Sequence, residues 1–146
     1  MRLVFKILTG SICAIALLFV GYYLYARLVG NPAVIEELRS DPNGARAARA
    51  MLISLPGGRE LPVNYLREGE MVYMGVDGRW WRLFADEAKS VTLLIRGETL
   101  TGRARAILND QARTKEVFTR LRPTAPTWLP GRMGGVLVEI ALDSEE

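Results

Sequence analysis

The chain has 146 residues, 49% of them hydrophobic and 24% charged, with 19 basic against 16 acidic side chains for a net charge of +3. That length holds one ordinary domain beside a membrane segment, but not two. The charges are scattered rather than clustered, which argues against nucleic acid as a partner. Nearly all the basic residues are arginine, a bias that fits either a GC-rich genome or selective use of arginine for phosphate and carboxylate. There is no histidine, so the usual general base, the Ser-His-Asp triad and the commonest metal ligand are all excluded. The one cysteine, Cys13, sits in an apolar run and has no partner for an internal disulfide. Buried in a membrane, its thiol is a poor nucleophile.

Ile7–Tyr25 is a 19-residue run without a charge. As a helix rising ~1.5 Å per residue it spans roughly 28 Å, close to the ~30 Å hydrocarbon core. Arg2, Lys6 and Arg27 flank it, and Tyr22, Tyr23 and Tyr25 lie where an interfacial aromatic belt belongs. The run is longer than a signal-peptide core and no small-residue cleavage site follows it. It reads as a single-pass N-terminal anchor in membrane lipid through residues 7–25. Flanking charge differs by about one between the two sides, so the side of the soluble domain stays open. The small residues Gly10 and Ala14 do not by themselves imply dimerisation.

Residues 1–28 are thus assigned to the anchor, 29–44 to a juxtamembrane connector and 45–146 to the soluble domain. In the connector Asn31-Pro32 opens a short amphipathic helix with Val34, Ile35 and Leu38 on one side, and Asp41-Pro42-Asn43-Gly44 stops it. Strands are expected at Met51–Leu55, Glu60–Leu66 and Met71–Val76, joined by turns at Pro56–Arg59 and Arg67–Glu70. Pro62 argues that its strand lies at an edge or carries a bulge.

The densest stretch follows. A short helix is expected over Arg79–Glu87 with Trp80, Trp81, Leu83 and Phe84, of which one tryptophan belongs in the core and the other lines a pocket or touches a membrane surface. Strands at Val91–Arg96 and Thr99–Ile107 pair as a hairpin through a tight turn at Gly97-Glu98, with Leu100, Gly102, Ala104 and Ala106 alternating with Thr101, Arg103 and Arg105. A second helix runs Asn109–Arg122, capped by Asn109 or Asp110, with Val117, Phe118 and Leu121 on its buried side. A proline-rich loop, Pro123–Arg132, carries Trp128. The last strand, Gly135–Leu142, turns Val136, Val138, Ile140 and Leu142 inward. The fold class is therefore mainly β (α+β): a six-stranded antiparallel barrel with two short helices, preceded by one transmembrane helix.

Among candidate site residues, Gly57-Gly58-Arg59 has the composition of a small anion-binding turn, although an ordinary hairpin turn fits the same residues. Arg79 and Arg82 bracket the tryptophans, and Arg82 either reaches a ligand phosphate or stacks on an indole. Asp86 and Glu87 are adjacent and diverge on a helix, so they form no catalytic carboxylate pair.

The order of these motifs — a Gly-Arg turn, a proline-bearing strand, Tyr65-Leu66-Arg67-Glu68, Trp80-Trp81-Arg82-Leu83, then the strands around Val91–Gly97 and Gly102–Ala106 — resembles the deazaflavin-dependent nitroreductase family, relatives of the flavin-binding split β-barrels that include pyridoxamine-phosphate oxidases. The resemblance spans roughly residues 51–142. It implies a split β-barrel that binds deazaflavin or FMN, contacted by Gly58, Arg59, Trp80, Trp81 and Arg82, and that reduces quinones or nitro compounds by hydride transfer. It also implies a homodimer. The cofactor carries such chemistry, so the missing histidine is no obstacle. The phosphate loop departs from the family's pattern: Gly58-Arg59-Glu60-Leu61-Pro62 lacks the serine and second basic residue, and Glu60 opposes an anion there. The asparagine that usually follows the aromatic pair is replaced by Leu83-Phe84. Two readings follow: a membrane-anchored flavin- or deazaflavin-dependent reductase, or a barrel that has lost its cofactor and serves as a binding module or accessory subunit with a membrane-protein partner.

Overall fold

The computed structural model describes residues 2–25, 31–123 and 135–143. The chain divides into two compact units, Met1–Glu36 and Glu37–Glu146. In the first, helix α1 covers Arg2–Tyr25. Its side chains are described only from Gly10 onward, fewer than the about 20 residues a span requires. Among the described residues no helix is long and apolar enough to cross a membrane. Those side chains of α1 are nonetheless exposed and apolar, with Leu17, Leu18 and Phe19 each more than 70% accessible. Helix α2, Asn31–Ser40, forms where Asn31-Pro32 starts it and ends with Leu38 buried.

The second unit is a barrel of six strands: β1 Ala50–Ser54, β2 Glu60–Glu68, β3 Met71–Val76, β4 Lys89–Ile95, β5 Glu98–Ile107 and β6 Val136–Leu142. All neighbours are antiparallel, and the sheet closes in the order β1-β2-β3-β6-β5-β4. Closure follows from the alternation along each strand. Met51 and Ile53, Val72 and Met74, Leu93, Ala104, Val138 and Ile140 all point inward with no accessible surface. The interior is thus a filled core rather than a pore. Leu61, Val63, Tyr65, Leu100, Val136 and Leu142 complete it as partly buried neighbours.

Helix α3, Gln111–Leu121, lies outside the barrel against β3 and β6. Asp110 is its cap, accepting the Arg113 N–H at 2.8 Å, so the sequence's second candidate, Asn109, does not hold that place. Val117 and Phe118 pack on Tyr73 and Leu137, the outward residues of β3 and β6. Gly75 makes this approach possible: a Cβ there would stand 2.3 Å from Phe118 Cε1. Arg113 fastens the same contact, stacking 5.0 Å over the Tyr73 ring and donating to its hydroxyl at 2.7 Å.

Two local expectations are corrected, and a third, on Pro62, is met in an unexpected way. The helix over Arg79–Glu87 is a 3₁₀ helix, Arg79–Phe84, ending where the Ala85 N–H returns to the Arg82 carbonyl. The β4–β5 turn is Arg96-Gly97, one residue earlier than Gly97-Glu98, with Ile95 opposite Glu98. Both turn residues take positive φ, 51° and 83°, the pattern that matches the twist of a two-residue hairpin. Although the barrel closes, Pro62 lies at a local edge as expected, on a stretch of β2 that pairs with β1 on one side only. Arg49–Tyr65 and Leu55–Arg59 are hydrogen-bonded positions of the β1–β2 ladder. Alternation then makes Leu52–Pro62 a non-bonded position, so the missing donor faces away from β1. On that side β3 begins to pair only at Tyr65–Met74, and Pro62 sits where the two strands have parted. Trp128 lies outside the described residues.

Candidate functional site: a cleft where β2 and β3 part

Between the first half of β2 and the end of β3 opens a cleft of about 320 Å³, lined by Pro62, Val63, Asn64, Gly75, Asp77, Gly78, Trp80, Leu121 and Arg122. Its origin is topological. The β2–β3 ladder stops at Tyr65–Met74, and the backbone of Glu60–Asn64 continues along β1 alone. The 3₁₀ helix brings Trp80 to one wall and the end of α3 brings Leu121 and Arg122 to another. Trp80 is anchored from below by Phe84, the fully buried residue of the 3₁₀ helix, in an edge-to-face contact at 6.2 Å and 76°. Such contacts fix the plane of an indole.

The polar edge is an ion pair. Arg122 Nη2 lies 2.8 and 2.9 Å from the two carboxylate oxygens of Asp77, and its guanidinium stacks 4.9 Å over Phe118. The Arg122 side chain is 16% exposed and that of Asp77 63%, so the pair's charge is mutually neutralised while Asp77 keeps free acceptor capacity toward solvent. Exposed Asn64 supplies an amide. The cleft is thus open and mainly polar in its lining, with the Trp80 indole as its flat aromatic wall.

The register gathers the sequence-predicted residues at one end of the barrel. The C-terminus of β1, the Pro56–Arg59 turn, the start of β2, the end of β3, the 3₁₀ helix and the start of β4 all lie there. Within that end they separate. Trp80 lines the cleft; Gly58, Arg59, Trp81 and Arg82 do not. Neither tryptophan is fully buried: both pack half-exposed on the core, and the core position expected for one of them belongs to Phe84. Arg82 is exposed and stacks on Trp81 at 5.7 Å. The Gly57-Gly58-Arg59 turn takes the ordinary hairpin form. Its glycines have φ of 95° and 83°, the Gly58 N–H is spent on the Leu55 carbonyl at 3.0 Å, and the Leu55 N–H closes onto Arg59. Glu60 follows, held by Arg39 at 2.6 Å and Ser54 at 3.4 Å. The consumed donor and the adjacent carboxylate both oppose an anion at this turn.

Asn64, Gly75, Asp77 and Arg122 were missed from sequence. One signal was available: an isolated glycine inside an apolar strand, MetValTyrMetGlyVal at 71–76, marks a close approach. Tyr65, Glu87 and Arg113 titrate away from their ordinary values, and none of them lines the cleft. Burial raises the Tyr65 phenol despite Arg96 and Arg67 nearby. The hydrogen bond to Lys89 lowers Glu87, and the bond to Glu116 raises Arg113. Among the described residues no group of His, Cys, Asp and Glu is placed to hold a metal ion.

No family model matches the chain and no curated protein is similar to it in sequence. Several solved structures are similar to it. A candidate pyridoxamine 5′-phosphate oxidase of Listeria innocua superposes with a TM-score of 0.50 at 14% identity, covering 68% of this chain and 90% of that one. A candidate general stress protein 26 of Jannaschia sp. CCS1 gives 0.47 at 12% identity, over 76% and 74%. An F420 reductase gives 0.42 at 14% identity, over 75% and 93%. The chain therefore has a split-barrel fold like that of the Listeria protein, and at this identity the likeness concerns fold alone.

Proposed function

We propose that this chain is a flavin-reductase-like barrel that seats the planar ring of FMN or a deazaflavin in the cleft between β2 and β3. The observation that carries this reading is the cleft itself, with the Trp80 indole fixed on one wall and the Asp77–Arg122 pair at the rim. Its ~320 Å³ is at the low end of small-molecule sites, room for a ring system rather than a whole nucleotide. Trp80 would stack on the ring, Asn64 and Asp77 would orient its polar edge, and Val63 and Leu121 would add apolar contact in a cleft that stays open to solvent. A bound cofactor of this class supplies hydride transfer, with quinones or nitro compounds as acceptors.

Membrane attachment through residues 7–25 belongs to the same proposal. It is supported by the charge-free run in the sequence and by the exposed apolar side chains of α1, and it would bring the barrel to lipid-soluble quinones. A homodimer or a membrane-protein partner is compatible with it.

A second reading, a cofactor-free binding module or accessory subunit, is favoured by the closed Gly57–Arg59 turn and the neighbouring Glu60. Purified full-length protein in mild detergent separates the two. The reductase reading expects a co-purifying chromophore, or quenching of tryptophan fluorescence at micromolar FMN or deazaflavin. Absence of both selects the binding module.

A further inference from the structure

We propose that the barrel end carrying the 3₁₀ helix docks on an anionic lipid surface. Three arginines project there: Arg59 from the β1–β2 turn, and Arg79 and Arg82 from the 3₁₀ helix, all exposed. None of the three is in an ion pair among the described residues, a state they share with Arg49, Arg96, Arg103 and Arg105, whereas Arg39, Arg46, Arg67, Arg113, Arg120 and Arg122 are all paired. The acids at this end are largely spent: Glu60 on Arg39, Asp77 on Arg122 and Glu87 on Lys89. Asp86 and the helix-capping Asp110 remain as exposed counter-charges, against which the three arginines leave the surface net positive by about one charge.

Apolar groups share that surface. Among the described residues of the barrel unit the exposed large hydrophobic side chains are Leu83, at 43%, and Leu108, at 47%. Leu83 is on the 3₁₀ helix and Leu108 follows the end of β5, which that helix touches. Half-exposed Trp81 lies between them in kind, an amphipathic ring under the Arg82 guanidinium. Arginine, tryptophan and leucine together suit a headgroup layer, where stems and rings enter the boundary and charges meet phosphate. The opposite end carries exposed Arg49 before β1 and Arg96 at the β4–β5 turn, but no exposed large apolar side chain among the described residues. An acidic protein would pair with the arginines yet leave the leucines unexplained.

The inference rests on the membrane reading above only in requiring a bilayer nearby. A tether also raises the local concentration, so weak docking is enough. Each arginine near an anionic leaflet shifts the docked-to-free ratio about fivefold, so Arg79→Gln with Arg82→Gln should lower it roughly 25-fold.

The test uses the full chain with Trp80→Phe and Trp128→Phe, so that Trp81 alone emits. It is reconstituted in vesicles of phosphatidylcholine, with or without phosphatidylglycerol, brominated near the headgroup. Vesicle flotation reports anchoring, and bromine quenching of Trp81 reports docking. The proposal expects quenching that is strong with phosphatidylglycerol, weak without it, and reduced by 0.5 M salt or by Arg79→Gln/Arg82→Gln. Equal quenching in both lipids, or quenching indifferent to the two arginines, overturns it. Flotation without Trp81 quenching keeps the anchor and overturns docking. Flotation only on phosphatidylglycerol supports docking and overturns the anchor. No flotation on either overturns both.

Discussion

Phe84→Ala is the perturbation that most directly probes how the cleft wall is held. Phe84 has no accessible surface and is the member of the 3₁₀ helix that enters the core. Truncating a buried phenylalanine costs about 3–5 kcal/mol, through lost transfer free energy and the cavity left behind. The edge-to-face contact with Trp80 at 6.2 Å adds roughly 0.5–1.5 kcal/mol. A loss of about 3.5–6.5 kcal/mol is therefore expected, enough to consume much of a small domain's stability of about 5–15 kcal/mol. The matched control is Leu83→Ala, one residue away and 43% exposed, expected to change stability by less than about 1 kcal/mol. Urea unfolding followed by circular dichroism avoids confusion with the local tryptophan signal. Equal midpoints for the two variants would refute the claim that Phe84 is the anchor.

Three further outcomes follow from the same geometry. Gly75→Ala puts a methyl group 2.3 Å from Phe118 Cε1 and 2.9 Å from Arg122 Nη2. The Phe118 ring is buried and cannot swing clear, so overpacking should cost about 1–3 kcal/mol, with partial rescue by Phe118→Leu in the double variant. Asp110→Ala removes the cap of α3 and should cost about 0.5–2 kcal/mol in the same urea assay. Tyr65 is an acid whose folded pKa lies above its ordinary value of 10.0, chiefly through burial. Folded protein then holds the proton more tightly, so this contribution is complete below pH 10 and is lost as pH climbs through the folded value. Tyr65→Phe should flatten the alkaline fall in melting temperature, and an unchanged alkaline limb would contradict the assignment.

The strands were legible because each buries one face, and a period of two leaves little choice of register. The run 136–142 shows this: Val138 and Ile140 are inward as their alternation demands. Its between-residue Leu137 is equally buried, for a reason alternation does not carry, namely that α3 covers the outer face there. The sequence places this hairpin turn at Gly97-Glu98 rather than Arg96-Gly97 because arginine seldom takes the positive φ that Arg96 adopts. Arg59 and Arg82 were singled out because arginine beside glycine or tryptophan is a local pattern. The cleft is not local. Pro62, Gly75, Trp80 and Arg122 come from two strands, the 3₁₀ helix and the end of α3, and only the premature end of the β2–β3 ladder brings them together.

The central claim is that the cleft beside Trp80, rather than the exposed face of the 3₁₀ helix, receives the ring. Parallel titrations of FMN and a deazaflavin into the wild type, Trp80→Leu, Trp81→Leu and Arg82→Ala, read by ligand fluorescence, test it directly. Loss of one base-stacking aromatic is worth roughly 1–3 kcal/mol, so Trp80→Leu should weaken binding by about 5- to 150-fold. Trp81→Leu and Arg82→Ala should stay within about twofold of the wild type. Strong weakening by Trp81→Leu and Arg82→Ala, with Trp80→Leu unchanged, would contradict the account and move the site to the outer face of the helix.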